Sequence, residues 1–189
     1  GDTNFFNDWL INKDNKDYWQ QIDWENRTHT IKSPILLMAG WFDPFLPTQL
    51  NDFNSILNNA KKSVTKNTRL IVGPWAHARD ILLPGAQNSI PYRRESIAPS
   101  IAWFDHQLGI SKIPLKMSRI KIFVMGDNSW REENEWPLAR TKYTNFYLHS
   151  MGAANSHNGD GLLKNVIQKK GTFFDEYIYD PLDPVPSAG

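Results

Sequence analysis

The chain has 189 residues, enough for one sizeable core or two small ones. Its 21 Lys and Arg against 20 Asp and Glu leave a net charge of +1, which gives no electrostatic basis for nucleic acid or an anionic membrane surface as a partner. There is no cysteine, so disulfides and thiolate chemistry are excluded, and no apolar run approaches the roughly 20 residues that span a bilayer. Aromatic residues reach 13%, eight of them Trp, which suits aromatic-lined pockets or a β-rich half. Localisation is left open by this composition, with a soluble cytoplasmic setting slightly favoured over export.

In chain order, residues 5–28 read as helical. Phe5, Phe6, Trp9 and Leu10 recur at helical spacing, and Tyr18, Trp19 and Ile22 do so again after a polar break. Ser33-Pro34 opens a run, Ile35–Ala39, that shows no alternation and should be a strand buried on both faces. Residues 48–62 place Leu50, Phe53, Ile56, Leu57 and Ala60 on one side, the pattern of an amphipathic helix, with Lys61-Lys62 expected at its negative end. Arg69–Val72 is the next buried strand, so strand, helix and strand form a βαβ unit. A turn-rich loop over 78–93 precedes a helix with Ser96 as N-cap, Pro99 in its first turn, an apolar stripe of Ile97, Ile101, Phe104 and Leu108, and Gly109 as its stop.

The character changes near Ser111–Pro114, where a domain boundary is expected. Ile120, Ile122 and Val124 share one strand face, Gly126–Ser129 forms a turn, and Trp130 and Trp136-Pro137 fall in an irregular loop. Tyr143–Ser150 and Gly171–Tyr179 are further strand candidates, and the spacing argues for an antiparallel sandwich. The expected fold is therefore α/β over residues 31–112, preceded by a helical segment over 1–30 and followed by a β-sandwich over 113–189.

Two stretches carry chemistry. Gly40-Trp41-Phe42-Asp43 and Gly73-Pro74-Trp75-Ala76-His77 each follow a buried strand, so a carboxylate and an imidazole stand beyond the carboxyl ends of adjacent strands, where open α/β sheets bind ligands. A carboxylate that holds the imidazole's tautomer, and an imidazole that takes a proton from a nucleophile, are two thirds of a triad. Asp before His also matches the order Ser…Asp…His of α/β-hydrolases. By spacing alone, a helix-capping Asp and a structural His are the commoner readings of such a pair. Trp41 and Trp75 could line a substrate pocket or pack in the core. His106 falls on the expected helix as a surface or interdomain hydrogen-bonding residue, His29, His149 and His157 lack metal-ligand spacing, and Ser33, Ser63 and Ser129 sit in no strand–turn–helix elbow.

These two stretches resemble the cocaine-esterase-like hydrolases, a group related to the X-Pro dipeptidyl-peptidases and the cephalosporin-type acylases. Asp17-Tyr18-Trp19 resembles the end of that family's helical cap, Trp103–Leu108 the helix leaving the hydrolase domain, and Ile122–Gly126, Trp130-Arg131, Trp136-Pro137 and Asp180–Pro186 the C-terminal jelly roll. The resemblance implies that Asp43 and His77 are triad residues of a serine hydrolase acting on an ester or amide, either a small molecule or a short peptide, with no metal or organic cofactor. The family's nucleophile is a Ser in Gly-x-Ser-x-Gly, and this pentapeptide does not occur in the 189 residues. The Ser is therefore expected upstream in a longer protein, and the isolated chain is expected to be inactive. An amputated sandwich would leave open edges and an exposed apolar face that invite association with the missing half or with another copy. The other reading is a non-catalytic binding module that uses the sandwich half.

Overall fold

A computed structural model describes residues 4–77, 79–80, 92–168 and 174–184. The elements are α1 (Asn4–Ile11), α2 (Lys16–Trp19), a 3₁₀ helix (Glu25–Thr30), β1 (Leu36–Phe42), α3 (Leu46–Asn59), α4 (Lys62–Thr65), β2 (Arg69–Ala76), β3 (Arg79–Asp80), α5 (Tyr92–Gln107), β4 (Ile120–Val124), β5 (Ser129–Glu133), β6 (Tyr147–His149) and β7 (Leu162–Lys164). They fall into two compact units, one ending at Leu138 and the other beginning at Ala139.

The first unit is an α/β sheet in the order β1-β2-β4-β5. β1 and β4 each run parallel to β2, β5 returns antiparallel to β4, and β3 folds back on the end of β2. The non-alternating run of β2 reflects burial on both faces, whereas β1, at the end of the strand order, is half-buried at Leu36, Leu37 and Met38 and fully buried only at Ala39 and Gly40. Ala39, Leu70, Val72, Ile120 and Ile122 face Leu46 and Phe53 of α3, with Leu50 and Leu57 packed at the margin. On the opposite face α5 places Trp103, whose indole N–H donates to the Asn67 carbonyl at 3.0 Å, and Ser100, whose hydroxyl lies 3.8 Å from the Met38 sulfur. The expected strands and amphipathic helix of the βαβ unit are present.

Several expectations are corrected. The N-terminal residues form two short helices and a 3₁₀ turn, and Phe5, Phe6, Trp9 and Leu10 are about half exposed. α3 stops at Asn59, and Lys61 begins α4 rather than ending α3. α5 starts before Ser96, so Pro99 lies inside the helix and Ser96 is not its N-cap. The stripe Ile97, Ile101, Phe104 and Leu108 faces solvent; Ser96 and Trp103 are buried instead. Gly109 does end the helix, at φ +68°, with Ile110 N–H bonding Asp105 O and Gly109 N–H bonding His106 O in the Schellman pattern.

β4 and β5 lie past the boundary expected near Ser111–Pro114, yet they extend the first sheet. Ile120, Ile122 and Phe123 are all buried, which requires cover on both faces and so a central position. Trp130, expected in a loop, is in β5 and pairs with Phe123. That strand reads poorly as a strand because it is a charged edge: Arg131 Nε bonds Glu133 Oε1 at 2.7 Å.

In the second unit the described residues hold one antiparallel pair, β6 with β7, three residues each. Phe174–Tyr179 takes no regular structure, and the rest of the expected strand, residues 171–173, lies outside the described residues. The described residues of this unit thus form a two-stranded ladder and not a sandwich. No helix among the described residues is long and apolar enough to cross a membrane.

Candidate active site

The site forms where β1 and β2 end. Through most of their length the two strands pair with an offset of 33 residues, Leu36 with Arg69 through Gly40 with Gly73. Phe42 then pairs with Ala76, an offset of 34, so β2 carries one extra residue over the Pro74-Trp75 stretch. Side chains alternate along a strand, so one extra residue reverses which face the following residues present. Had the first register continued, Asp43 would stand level with Ala76 and His77 would point to the other face. The bulge brings Asp43 level with His77.

Trp75 occupies the space that makes this possible. It is 1% exposed and packs against Trp130 at 5.8 Å between ring centroids. A Cβ on Gly73 would run into its ring, and one on Gly40 would meet its carbonyl oxygen. Both strands therefore need glycine at the level where the indole lies. Trp75 is thus a buried support of the bulge and offers no surface to a substrate.

Asp43 is oriented by its own loop. Its backbone N–H donates to Gly40 O at 3.0 Å, its carbonyl accepts from Leu46 N–H at 3.1 Å, and its Oδ1 accepts from Phe45 N–H at 2.8 Å. The last bond is an Asx turn. Pro44, which has no N–H of its own, fills the middle position, so the lost donor costs the loop nothing. Oδ2 lies 3.1 Å from His77 Nδ1. A carboxylate that accepts this bond requires the tautomer with the proton on Nδ1, in which Nε2 is the ring's free acceptor nitrogen. The Asp43 side chain is 9% exposed and that of His77 is 67% exposed, so a buried carboxylate holds an imidazole that reagents can reach.

Phe45 also belongs to this site, although sequence reasoning gave it no role. Its ring meets the His77 imidazole edge to face at 5.5 Å and 72°. The available signal was the Asp-Pro-Phe order, which places the Asx-turn donor two residues after the acid. Trp41, named as a pocket candidate, is half-buried; its indole packs against Trp136 and its N–H donates to Phe123 O at 2.7 Å. The structure thus joins Asp43 and His77 and places Trp41 and Trp75 beside them as packing groups. Among the described residues no three His, Asp or Glu gather as metal ligands.

A family model described as X-Pro dipeptidyl-peptidase (S15 family) matches residues 1–79, and one described as X-Pro dipeptidyl-peptidase C-terminal non-catalytic domain matches residues 116–186. The second match begins before β4, although β4 hydrogen-bonds into the first sheet. The chain is 36% identical over 194 residues to a cocaine esterase from Rhodococcus sp. (strain MB1 Bresler), a match that covers 96% of this chain and 32% of that protein. The chain thus spans about a third of the length of this curated relative. Its fold is similar to that of an aminopeptidase from the marine sediment archaeon Thaumarchaeota archaeon, with a TM-score of 0.63, 24% identity, and coverage of 89% of this chain and 27% of that one.

Proposed function

We propose, from the chain's similarity to a cocaine esterase and its matches to the S15 X-Pro dipeptidyl-peptidase models, that Asp43 and His77 are the acid and base of a serine hydrolase triad. The observation that carries the reading is the bond between a buried carboxylate and an accessible imidazole, 3.1 Å, at the carboxyl ends of adjacent parallel strands.

In this reading His77 Nε2 takes the proton of a serine hydroxyl as that oxygen attacks an ester or amide carbonyl. It then returns the proton to the leaving group as the acyl-enzyme forms. Asp43 keeps the proton on Nδ1 and stabilises the imidazolium between these steps. Water deacylates the enzyme by the same proton path. The serine comes from a Gly-x-Ser-x-Gly elbow outside these 189 residues, and the substrate is a small ester or amide, or a short peptide.

The test uses a serine-directed fluorophosphonate. The 189-residue chain is expected to stay unlabelled, because removing the nucleophile and its oxyanion donors removes nearly all catalysis. A protein that also contains the elbow is expected to label and to turn over esters. In it, His77→Ala should abolish turnover, and Asp43→Asn should lower kcat by about four orders of magnitude. Stoichiometric, His77-dependent labelling of the 189-residue chain would place the nucleophile within it and overturn the reading.

A further inference from the structure

We propose that Trp41 is a positioning residue for the Asp43–His77 pair, an inference that rests on the triad reading above. Its location is the first argument. Trp41 lies between Gly40 and Phe42, the interval in which the β1–β2 register shifts. The regular ladder that fixes the rest of β1 is interrupted there, and Asp43 lies only two residues beyond.

The second argument is what the indole does. Its N–H donates to the carbonyl of Phe123 at 2.7 Å. Phe123 is in β4, and the strand order is β1-β2-β4, so this bond passes over the intervening strand and ties β1 directly to β4. The other hydrogen bonds described at the Asp43 loop are local: Asp43 to Gly40, Leu46 to Asp43 and Phe45 to Asp43. These set the shape of the loop; the Phe42–Ala76 pair resumes the ladder to β2 just before Asp43, and the Trp41 bond adds a tie to a third strand across the interrupted interval. Apart from the imidazole contact itself, Trp41 provides the described side-chain bond that anchors the loop's stem to another strand.

The third argument concerns the bulge. Trp75 fills one side of the irregular stretch, against Trp130. Trp41 belongs to the α3 side of the sheet, packed against the core cluster and against Trp136 at 6.2 Å. The two tryptophans thus brace the bulge from opposite faces. A carboxylate 3.1 Å from an imidazole is within hydrogen-bond reach with little to spare, so a small drift of the β1 tip weakens the bond that sets the His77 tautomer. With its N–H engaged, the Trp41 indole acts through Asp43 and not as a substrate contact.

The test reads the tautomer directly and needs no serine. In ¹⁵N spectra of the chain, recorded where the imidazole is neutral, His77 should be mainly the Nδ1–H form, and Asp43→Ala should shift it toward Nε2–H. Trp41→Phe keeps an aromatic ring and deletes the N–H. It should lower the Nδ1–H to Nε2–H ratio by about twofold to tenfold, the worth of part or all of one hydrogen bond, with an unchanged far-UV spectrum. An unchanged ratio in Trp41→Phe, beside a clear shift in Asp43→Ala, overturns the role of Trp41 and leaves the triad reading standing. No shift in either variant overturns both. Should Trp41→Phe fail to fold, hydrogen exchange at the Trp41 indole N–H of the unaltered chain decides. Protection supports the anchor, and exchange at the rate of free indole refutes it.

Discussion

At Asp43 the orientation of a functional carboxylate is largely the work of backbone groups: one Asx-turn donor, one N–H to Gly40 and one bond from Leu46. Asp52 shows the opposite situation, a carboxyl whose ionised form its surroundings disfavour. Burial raises its pKa above 3.8, and the nearby Asp23 adds to the rise. It shares a depression with Asp23, Trp24, Thr48, Asn51 and Ser55. The folded chain therefore holds this proton more tightly than the unfolded chain does. Below pH 3.8 the group is protonated in both states and has no effect. As pH rises through the interval above 3.8, the unfolded chain releases its proton first and stability falls. Asp52→Asn should be indistinguishable from the parent in urea melts at the acid end. At neutral pH it should be more stable by up to ~0.5 kcal/mol. A variant that is less stable at neutral pH would show that the ionised carboxylate has a favourable partner.

Among the elements, α5 departs furthest from expectation. The stripe Ile97, Ile101, Phe104 and Leu108 is visible in the sequence, but the sheet takes the face carrying Ser96, Ser100 and Trp103. Trp103→Ala should therefore cost about 3–5 kcal/mol in denaturation, as expected for a buried aromatic. Ile101→Ala and Leu108→Ala should each cost under ~1 kcal/mol, since more than half of each side chain is already in water. The reverse ranking would show the stripe to be the packed face. Periodicity reports that a helix has an apolar side; which side meets the sheet depends on a tertiary match, here the Trp103 N–H with Asn67 O. β1, β2 and α3 were legible because non-alternation and amphipathy follow from their own burial. β5 was not, because an edge strand needs no apolar pattern. Asp43 and His77 were legible as residues, but the bulge that pairs them was not. An offset of 33 or 34 leaves no mark in composition.

On the scale of the whole molecule, order is unevenly distributed. Among the described strands β2 and β4 are central, β1 lies at one end of the strand order, and residues such as Phe53, Leu70, Val72 and Ile120 are fully buried. From Ala139 on, the described residues are mostly exposed, with Leu148, Ile178 and Leu182 each about nine-tenths in water. Local stability follows buried contact, so amide exchange should be slowest in β2 and β4, which are flanked by strands on both sides. Exchange should be fast through residues 139–168 and 174–184, with a modest rise in protection where β6 pairs with β7. Uniformly slow exchange across both units would mean that the second unit has a core of its own.

The register shift has a consequence for how such sequences can diverge. Substitutions between Gly73 and His77 are limited by ordinary packing, but single-residue insertions and deletions face a stricter test. One residue more or fewer returns His77 to the wrong side of the sheet, whatever the residue is, and removes the pairing with Asp43 in one step. A change of two restores the side but moves the imidazole by two strand residues, roughly 6.6 Å, out of reach of the carboxylate. Homologous segments that keep this chemistry should therefore vary in letters while holding their length between these glycines and these acid–base residues constant, so an alignment gap there marks loss of the site.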